Sequence, residues 1–293
     1  MTLGSYDGMH LGHIQILKRL VTKKRELGLE RSMVLTFDPH PQEILRKNDT
    51  SVDLLTTIEE RLALLEKTEV DEVLVIRFSL EFAKTPYNDF FRNVLIDKLG
   101  TKAMVVGFNH AFGKNREGDI QQLEKLAAET GIVVEEVQPL IVNGISISST
   151  KIRHALLEGN ITLANEFLGW AYELSGIVEH GDKLGKKLGF ATANLKVPKH
   201  KLVPCDGVYA GTAFYQNQKY PTAISIGKRP TIESEGERKI EAFILDFEEE
   251  IYGKPLILEF LSYIREQKKF DSYDELTKQI SEDVSQVRVV TSK

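Results

Sequence analysis

Apolar and polar residues alternate with two different periods along the first half of the chain. Short apolar runs typical of strands occur at Ser32–Asp38, Asp71–Phe78, Ala103–Phe108 and Ile132–Val137. Segments with helical period begin at Leu11 and near Thr57, Pro86 and Gly118. We expect Thr85 to be the N-cap of the third helix and Gly131 to end the fourth. Strands that alternate with helices predict a doubly wound parallel sheet, which binds ligands beyond the carboxyl ends of its strands.

The pattern changes after about Gly169. Short apolar runs separated by turn residues predict an antiparallel barrel or sandwich. These runs are Tyr172–Glu179, Val208–Phe214, Thr222–Ile226, Ile240–Phe247 and Leu256–Leu261. An amphipathic segment, Tyr273–Val287, is expected to pack against this sheet as a helix. We place the domain boundary after a helical hairpin from Ser149 to Leu168, which gives domains 1–169 and 170–293.

Composition narrows the class of protein. The chain has 293 residues and a net charge of −5, and neither half has the excess of basic residues typical of nucleic-acid binding. Cys205 is the only cysteine, so the chain can form no internal disulfide and lacks the ligands for a cysteine-based metal site. The N-terminal sequence is unlike a signal peptide, and no apolar run reaches the ~20 residues that span a bilayer. We therefore expect a cytoplasmic protein that binds neither nucleic acid nor membrane.

The first candidate site is the segment GSYDGMHLGH, Gly4 to His13, between the first predicted strand and the first helix. His10 and His13 are three residues apart and share a face of the first helical turn, whose free N–H groups favour an anion such as a triphosphate. A turn with helix-capping histidines explains H-x-G-H alone equally well. The glycine-rich turn favours phosphate binding. The candidate nucleotide-binding residues in the turn are Gly4, Tyr6, Asp7 and Gly8.

A second candidate site, ISSTKIR, begins the helix that follows Ile147. Ser148 or Ser149 can cap this helix, while Thr150 and Arg153 lie three residues apart and converge on its N-terminus. Capping alone explains the run, but together with the two histidines it indicates a nucleotide site. Neither P-loop spacing nor G-x-G-x-x-G spacing is present.

Four motifs of the first half resemble, in order, those of the adenylyltransferase half of prokaryotic bifunctional FAD synthetases, which belongs to the H-x-G-H nucleotidyltransferase superfamily. They are GSYDGMHLGH, TFDPHP (Thr36–Pro41), VGFNHAFGKNREG (Val106–Gly118) and ISSTKIR. The resemblance implies that the FMN phosphate attacks the α-phosphorus of ATP and that pyrophosphate leaves. Positioning and charge neutralisation suffice for such a step. The residues implied for it are His10, His13, Thr150 and Arg153, with Asn109 facing the flavin or the adenylate. His40 is either a site residue or an ordinary loop histidine.

The second half resembles the riboflavin kinase module of the same proteins. The matching motifs are HGDKLGKKLGFATANL (His180–Leu195), DGVYAG (Asp206–Gly211), IGKRPT (Ile226–Thr231), EAFILDFEEEIYG (Glu241–Gly253) and YIREQKKFDSYDEL (Tyr263–Leu276). We expect Gly181, Gly185 and Gly189, with Lys183, to approach the phosphates of ATP because no Cβ blocks the glycine backbone.

The resemblance also assigns the chemistry of this module. Thr192 and Asn194 match the family's magnesium ligands, and their oxygens suit a hard cation. Glu241 matches the catalytic base for the ribityl 5′-hydroxyl, although a solvated strand carboxylate is also compatible with the pattern. Arg265 matches an arginine near the nucleotide and flavin sites.

The sequence departs from the family in three places. The family usually has about a dozen residues before the first strand, so either the start lies further upstream or part of the nucleotide pocket is missing. His110 and Ala111 replace the aromatic and basic or polar residues common at these positions, which is expected to alter the flavin affinity of the adenylyltransferase site. Ala191 replaces a proline, which should loosen the chain before Thr192 without removing a ligand.

The resemblance as a whole implies a nucleotidyltransferase-type, Rossmann-like parallel sheet followed by a riboflavin-kinase-type antiparallel β-barrel with a terminal helix. The expected function is synthesis of FMN and then FAD from riboflavin and ATP with Mg²⁺, and a weak homo-oligomer is compatible with it. Two alternatives are a riboflavin kinase with a decayed or re-purposed adenylyltransferase domain, and a non-catalytic flavin-binding regulatory protein. The combination of Thr192, Asn194, Glu241, His10 and His13 argues against a mere binder.

Overall fold

The chain forms two compact units in the computed structural model, Met1–Ser149 and Thr150–Lys293. The structure describes residues 1–45, 53–108, 118–181, 190–228 and 238–292. The border between the units falls at the start of the helical hairpin, so Ser149 belongs to the first unit and the rest of the hairpin to the second. The domain boundary between residues 169 and 170 stays a prediction.

The first unit alternates strands and helices as the hydrophobic pattern predicts. Its strands are β1 (Thr2–Leu3), β2 (Met33–Asp38), β3 (Glu72–Arg77), β4 (Ala103–Gly107), β5 (Val133–Val137), β6 (Ile141–Val142) and β7 (Ile145–Ser146). Its helices are α1 (Leu11–Glu26), α2 (Pro41–Leu45), α3 (Ile58–Glu66), α4 (Tyr87–Asp89), which continues as a π-helical segment at Phe90–Lys98, and α5 (Ile120–Thr130). A 3₁₀ turn occupies Phe82–Lys84.

The parallel strands follow the order expected of a doubly wound sheet. One ladder joins β1, β2 and β3, and another joins β4 to β5. Two backbone hydrogen bonds connect the ladders: the Val105 amide donates to the Met1 carbonyl (3.0 Å), and the Met1 amino group donates to the Ala103 carbonyl (2.6 Å). The order is thus β3-β2-β1-β4-β5, and it reverses between β1 and β4, where such sheets bind ligands. The prediction of a Rossmann-like sheet is confirmed.

Local capping explains where two of these helices begin. Thr57 accepts a hydrogen bond from the Glu60 amide while the Glu60 carboxylate accepts one from the Thr57 amide, a reciprocal capping box at the start of α3. Asp119 caps α5, which ends at Gly131 in the left-handed region as predicted. The prediction for Thr85 is wrong, because its amide closes the preceding 3₁₀ turn on Phe82.

The second unit is a helical pair followed by a closed barrel and a terminal helix. The helices are α6 (Ser149–Leu157), which begins at the border of the two units, α7 (Ile161–Leu168) and α8 (Tyr273–Thr291). The strands are β8 (Glu173–Glu179), β9 (Ala193–Lys196), β10 (Gly207–Tyr215), β11 (Gln218–Lys228), β12 (Arg238–Ile244) and β13 (Pro255–Arg265). The barrel closes in the order β10-β11-β12-β9-β8-β13, and its strand pairs are antiparallel. The predicted barrel with a terminal helix is confirmed, although β9 was not predicted.

Helix α8 packs on the outside of the barrel. On β12, Ile240, Ala242 and Ile244 are buried, whereas the alternate residues are only partly covered. Val287 of α8 is fully buried in a cluster with Ala210 and Leu245. One face of α8 therefore covers the outer surface of the barrel.

We predict that Thr57→Ala loosens α3, since it removes the side-chain half of the capping box. Loss of such a cap costs about 1 kcal/mol, so the amides of α3 should exchange with solvent about fivefold faster by hydrogen-exchange mass spectrometry. Thr22→Ala is the control, because the exposed Thr22 hydroxyl only returns to the Lys18 carbonyl of its own helix. Equal exchange of the α3 amides in the two variants would contradict the capping role.

Candidate active sites

The loop between β1 and α1 is a buried, tightly turned segment at the carboxyl end of β1. Tyr6, Gly8 and Met9 all have positive φ angles, of 51°, 84° and 37°, and all three residues are buried. The Tyr6 hydroxyl shares a hydrogen bond of 2.6 Å with the Thr2 hydroxyl. Tyr6 and Met9 are thus two non-glycine residues in the left-handed region, a conformation that persists only where surrounding contacts hold it.

Asp7 anchors this loop to the segment before α3. Its carboxylate accepts hydrogen bonds from the amides of Leu55 (3.2 Å) and Thr56 (2.9 Å), and the side chain is 1% exposed. The Gly8 amide donates to the Thr56 hydroxyl (3.0 Å). These contacts give Asp7 a positioning role in the loop. The assignment of Gly4, Tyr6, Asp7 and Gly8 to nucleotide binding stays a prediction.

The two histidines stack on each other at the N-terminus of α1. Their ring centroids are 3.6 Å apart with an angle of 14° between the planes. His10 is the N-cap, and its Nδ1 accepts a hydrogen bond from the His13 amide (3.3 Å), so its Nε2 is left as the N–H donor. Helix capping by a histidine, one of the two interpretations of the motif, is thus realised. The prediction that both imidazoles lie on one face of the first turn is confirmed.

His13 is held in its neutral form by its surroundings. Burial lowers the pKa of His13 well below its usual range, and electrostatic interactions with the neighbouring His10 and with the Arg61 guanidinium lower it further. Its Nδ1 is buried and has no hydrogen-bond partner among the described residues. A neutral imidazole at a helix N-terminus keeps one N–H donor that can be directed at a phosphoryl oxygen.

Arg61 is a buried arginine of this site that sequence reasoning missed. Its side chain is 1% exposed, and its Nη1 donates to the Thr36 hydroxyl and to the Phe37 carbonyl, both at 3.0 Å. The Thr36 hydroxyl in turn donates to the Ser5 carbonyl (3.3 Å). Arg61 therefore ties α3 to the carboxyl end of β2 and, through Thr36, to the loop after β1. Burial lowers the pKa of Arg61, whereas the negative charge of Asp7 opposes that shift.

The ISSTKIR motif lies at the start of α6. Ser149, the last residue of the first unit, donates a hydrogen bond from its hydroxyl to the Asp7 carbonyl (2.9 Å). Thr150 is exposed and Arg153 is partly buried, and both lie in the first turns of α6. Their expected roles, and that of Ser148, stay predictions. Asn109 lies outside the described residues.

In the barrel, a row of four residues crosses neighbouring strands. Glu241 of β12 lies opposite Ser225 of β11 on one side and opposite Asn194 of β9 on the other. Asn194 lies in turn opposite Glu179 of β8. Because directly opposite residues of antiparallel strands project from the same face, the Glu241 carboxylate and the Asn194 amide share one face of the barrel.

A cavity of about 390 Å³ lies between this outer face of the barrel and α8. Three of the predicted kinase residues, Thr192, Glu241 and Arg265, line it although they come from separate motifs. Its volume falls in the range of small-molecule pockets. Aromatic side chains that sequence reasoning did not single out also line it: Phe190, Phe243 and Phe270.

Asn194 reaches the loop after β8 rather than the cavity lining. A Cβ on Gly181 would lie 2.0 Å from the Asn194 Nδ2 atom, so the amide covers the glycine backbone and only glycine fits there. The structure thus brings Gly181 and Asn194 together. The other predicted phosphate-binding residues of this loop, Lys183, Gly185 and Gly189, lie outside the described residues.

Arg265 and Gln267 shape the same cavity from the end of β13. The Nε and Nη2 atoms of Arg265 donate to the two carboxylate oxygens of Asp283 at 2.9 and 2.7 Å. The Gln267 amide donates to the Ser225 hydroxyl and the Ile226 carbonyl, both at 2.9 Å. Neither Asp283 nor Gln267 could be singled out from the sequence, because an aspartate in a polar helix and a glutamine after a strand are ordinary surface residues.

Two other kinds of feature are absent from the described part of the chain. No group of three or more histidine, cysteine, aspartate or glutamate side chains there could hold a metal ion. No helix among the described residues is long and apolar enough to cross a membrane.

Two enzyme families match successive parts of the chain and define its class. The family model for FAD synthetase matches residues 1–151, and the model for riboflavin kinase matches residues 168–291. Both families consist of enzymes that transfer groups from a nucleotide, and they match the two units in the order that the motifs predict. The chain is therefore a two-module transferase.

Relatives that match nearly the whole chain identify the particular family to which it belongs. The bifunctional riboflavin kinase/FMN adenylyltransferases of Buchnera aphidicola and Escherichia coli K12 are each 36% identical, over 97% of this chain and 90% of theirs. The Listeria monocytogenes protein of the same name is 35% identical over 100% of this chain and 92% of its own. The chain belongs to the family of bifunctional riboflavin kinase/FMN adenylyltransferases, which confirms the resemblance drawn from the motifs.

A solved structure has the same fold along the chain. It is a crystal structure from Streptococcus pneumoniae, described as a macrolide-efflux protein, that is 32% identical in sequence with a TM-score of 0.89. The match covers 98% of this chain and 93% of that one. The parallel sheet and the barrel therefore recur together in a related protein.

We predict that Arg61→Gln raises the pKa of His13, since the substitution removes a positive charge that disfavours the imidazolium while the ring stays buried. The titration of the His13 ring followed by NMR against pH measures this directly. Arg61→Lys is the matched control because it keeps the charge, and its His13 pKa should stay low. An unchanged pKa in Arg61→Gln, or the same rise in both variants, would contradict the electrostatic role of Arg61.

Proposed function

We propose that the barrel unit phosphorylates riboflavin to FMN and that the parallel-sheet unit adenylylates FMN to FAD with release of pyrophosphate. ATP is the nucleotide substrate of both reactions. The observation that carries the proposal is the cavity lined by Thr192, Glu241 and Arg265, which collects residues of three kinase motifs around one space of ligand size. Family membership supports the same pair of activities.

In the barrel, Glu241 acts as the general base. It accepts the proton of the ribityl 5′-hydroxyl while that oxygen attacks the γ-phosphorus of ATP and ADP leaves. The aromatic side chains of the cavity, Phe190, Phe243 and Phe270, suit the flat flavin ring system. Gly181 and the loop after it, with Lys183, Gly185 and Gly189, bind the phosphates.

Mg²⁺ fits the donors present at this site. Thr192 offers a hydroxyl and Asn194 an amide oxygen, which are hard oxygen ligands of the kind that Mg²⁺ prefers alongside substrate phosphates. The Asn194 amide lies against Gly181, the first of the residues proposed to bind the phosphates, and this proximity supports its assignment as a ligand. A bound Mg²⁺ would neutralise charge on the phosphate oxygens, and Thr192 and Asn194 would be its protein ligands.

In the parallel-sheet unit, catalysis rests on positioning and on charge neutralisation. The stacked imidazoles of His10 and His13 offer N–H donors at the N-terminus of α1, where a polyanion is favoured. Thr150 and Arg153 supply a hydroxyl and a guanidinium to the same triphosphate, and Asn109 contacts the flavin. The FMN phosphate is itself the nucleophile, so no enzyme nucleophile is required.

The remaining parts of the proposal concern organisation and location. The adenylyltransferase domain comprises residues 1–169 and the kinase domain residues 170–293. We place the protein in the cytoplasm, without nucleic-acid or membrane partners, as a monomer or weak homo-oligomer.

One assay tests the function as a whole: chromatography of riboflavin, ATP and Mg²⁺ after incubation with the pure protein. FMN with FAD supports the proposal, FMN alone indicates a kinase with an inactive first domain, and unchanged riboflavin indicates a binding protein.

We predict that Glu241→Gln lowers the rate of FMN formation by about 10²–10⁴-fold, the usual contribution of a general base, while supplied FMN is still converted to FAD. Chromatographic rate measurements on the full chain check both reactions. Glu259→Gln is the control, because Glu259 is also a partly buried strand carboxylate but does not line the cavity. Phosphorylation at a similar rate in Glu241→Gln would show that the base is another group.

We predict the reverse pattern for His10→Ala combined with His13→Ala. Loss of the imidazole donors should slow FAD formation by about 10²-fold or more, because preorganised donors to phosphoryl oxygens are removed. Riboflavin phosphorylation by the same protein serves as the internal control for folding. FAD formation at the normal rate would exclude a role for the two histidines in the reaction.

A further inference from the structure

Two arginine–aspartate pairs fasten α8 to the barrel, and both are bidentate. Arg265 of β13 donates to Asp283 of α8 at 2.9 and 2.7 Å, and Arg288 of α8 donates to Asp246 after β12 at 2.9 and 2.8 Å. The first pair is largely buried, with side chains 14% (Arg265) and 4% (Asp283) exposed, whereas those of the second are 53% and 70% exposed. The two pairs therefore share their chemistry and differ in their surroundings.

Only the buried pair borders the candidate riboflavin cavity. Arg265 and Asp283 both line that space, together with Leu276 and Ile280 of α8. The Gln279 amide donates to the same Asp283 oxygen that receives the Nε of Arg265 (3.1 Å). Both oxygens of the Asp283 carboxylate therefore accept hydrogen bonds.

The guanidinium of Arg265 is committed to the protein. Its Nε and Nη2 atoms bind Asp283, and its Nη1 donates to the Glu266 carbonyl (2.9 Å). The Phe270 ring lies near it, with its centroid 5.9 Å from the guanidinium carbon. Because three of its nitrogen atoms donate hydrogen bonds to the protein, the guanidinium has a fixed plane, and the Asp283 carboxylate compensates its charge. Arg265 therefore presents a fixed planar surface to the cavity rather than an uncompensated positive charge.

We propose that Asp283 is a positioning residue for riboflavin, which acts by fixing Arg265 and the cavity-lining face of α8. This inference rests on the proposed kinase function of the barrel. Asp283 touches no reacting atom, so its loss should weaken flavin binding more than it changes the chemical step. ATP binding, which the proposal assigns to the loop after β8, should be affected little.

The matched variants Asp283→Asn and Asp246→Asn test this proposal in the full chain. Each removes one carboxylate that joins α8 to the barrel, but only Asp283 lines the cavity. We expect the KM for riboflavin to rise about tenfold or more in Asp283→Asn, with the KM for ATP within about twofold of the original and FAD formation from FMN retained. Asp246→Asn should leave all of these constants within about twofold. Asp283→Glu, which keeps the carboxylate, should recover part of the affinity.

Several outcomes would overturn the proposal. Equal effects of the two substitutions would mean that α8 attachment alone matters, and an equal rise of both KM values would mean a general disturbance. An unaltered KM for riboflavin in Asp283→Asn would exclude the positioning role while leaving the kinase function intact. If the original protein forms no FMN at all, the proposed function fails first.

A double variant covers the case in which Asp283→Asn does not fold. Arg265→Met with Asp283→Leu replaces the buried pair by apolar side chains of similar size, a change that proteins often tolerate. The proposal predicts a folded protein whose KM for riboflavin is still raised about tenfold, because the oriented guanidinium is missing. A KM equal to that of the original protein would show that the pair is only structural and would overturn the inference.

Discussion

The hydrogen-bonded ladder that closes the barrel is the constraint on which the candidate kinase site depends. Its register sets Ser225, Glu241 and Asn194 side by side on one outer face, although they come from three strands. The buried residues Ile240 and Ala242 fix that register, because a slip of one residue would turn the Glu241 carboxylate into the apolar interior. Closure also leaves no strand edge at which the register could shift. The apolar core of the barrel therefore decides which polar residues meet outside it.

The parallel-sheet unit builds its candidate site by a different means. There the chain itself is bent into a fixed loop after β1, with Tyr6 and Met9 in the left-handed region and Asp7 bonded to the backbone of Leu55 and Thr56. The loop delivers His10 as the cap of α1 at the switch point of the sheet. In this unit a tightly turned loop and a helix terminus hold the polar side chains in place, whereas in the barrel strand pairing holds them.

Whether the sequence predicts a part of these sites depends on how far apart along the chain the interacting residues are. Periodic burial and capping are local, so most strands and helices and the two histidines could be found from the pattern. Strand β9 could not, because Ala193–Lys196 is a short run without β-branched residues and pairs only through long-range contacts. Arg61 follows two glutamates on α3, a local pattern that is typical of a solvent-exposed helix face. Its burial comes from packing against the end of β2, which no local pattern encodes.

In each unit one arginine suits the charge of the proposed substrate. Riboflavin is uncharged, and a free guanidinium in its pocket would have to be desolvated without a counter-ion when the flavin binds. The Asp283 carboxylate removes that cost before binding, since Arg265 already has its partner. FMN and ATP are polyanions, so the other unit needs no such neutralisation. There burial keeps the imidazole of His13 neutral, with a smaller contribution from the Arg61 charge, and the positive potential at the start of α1 remains available to the phosphates.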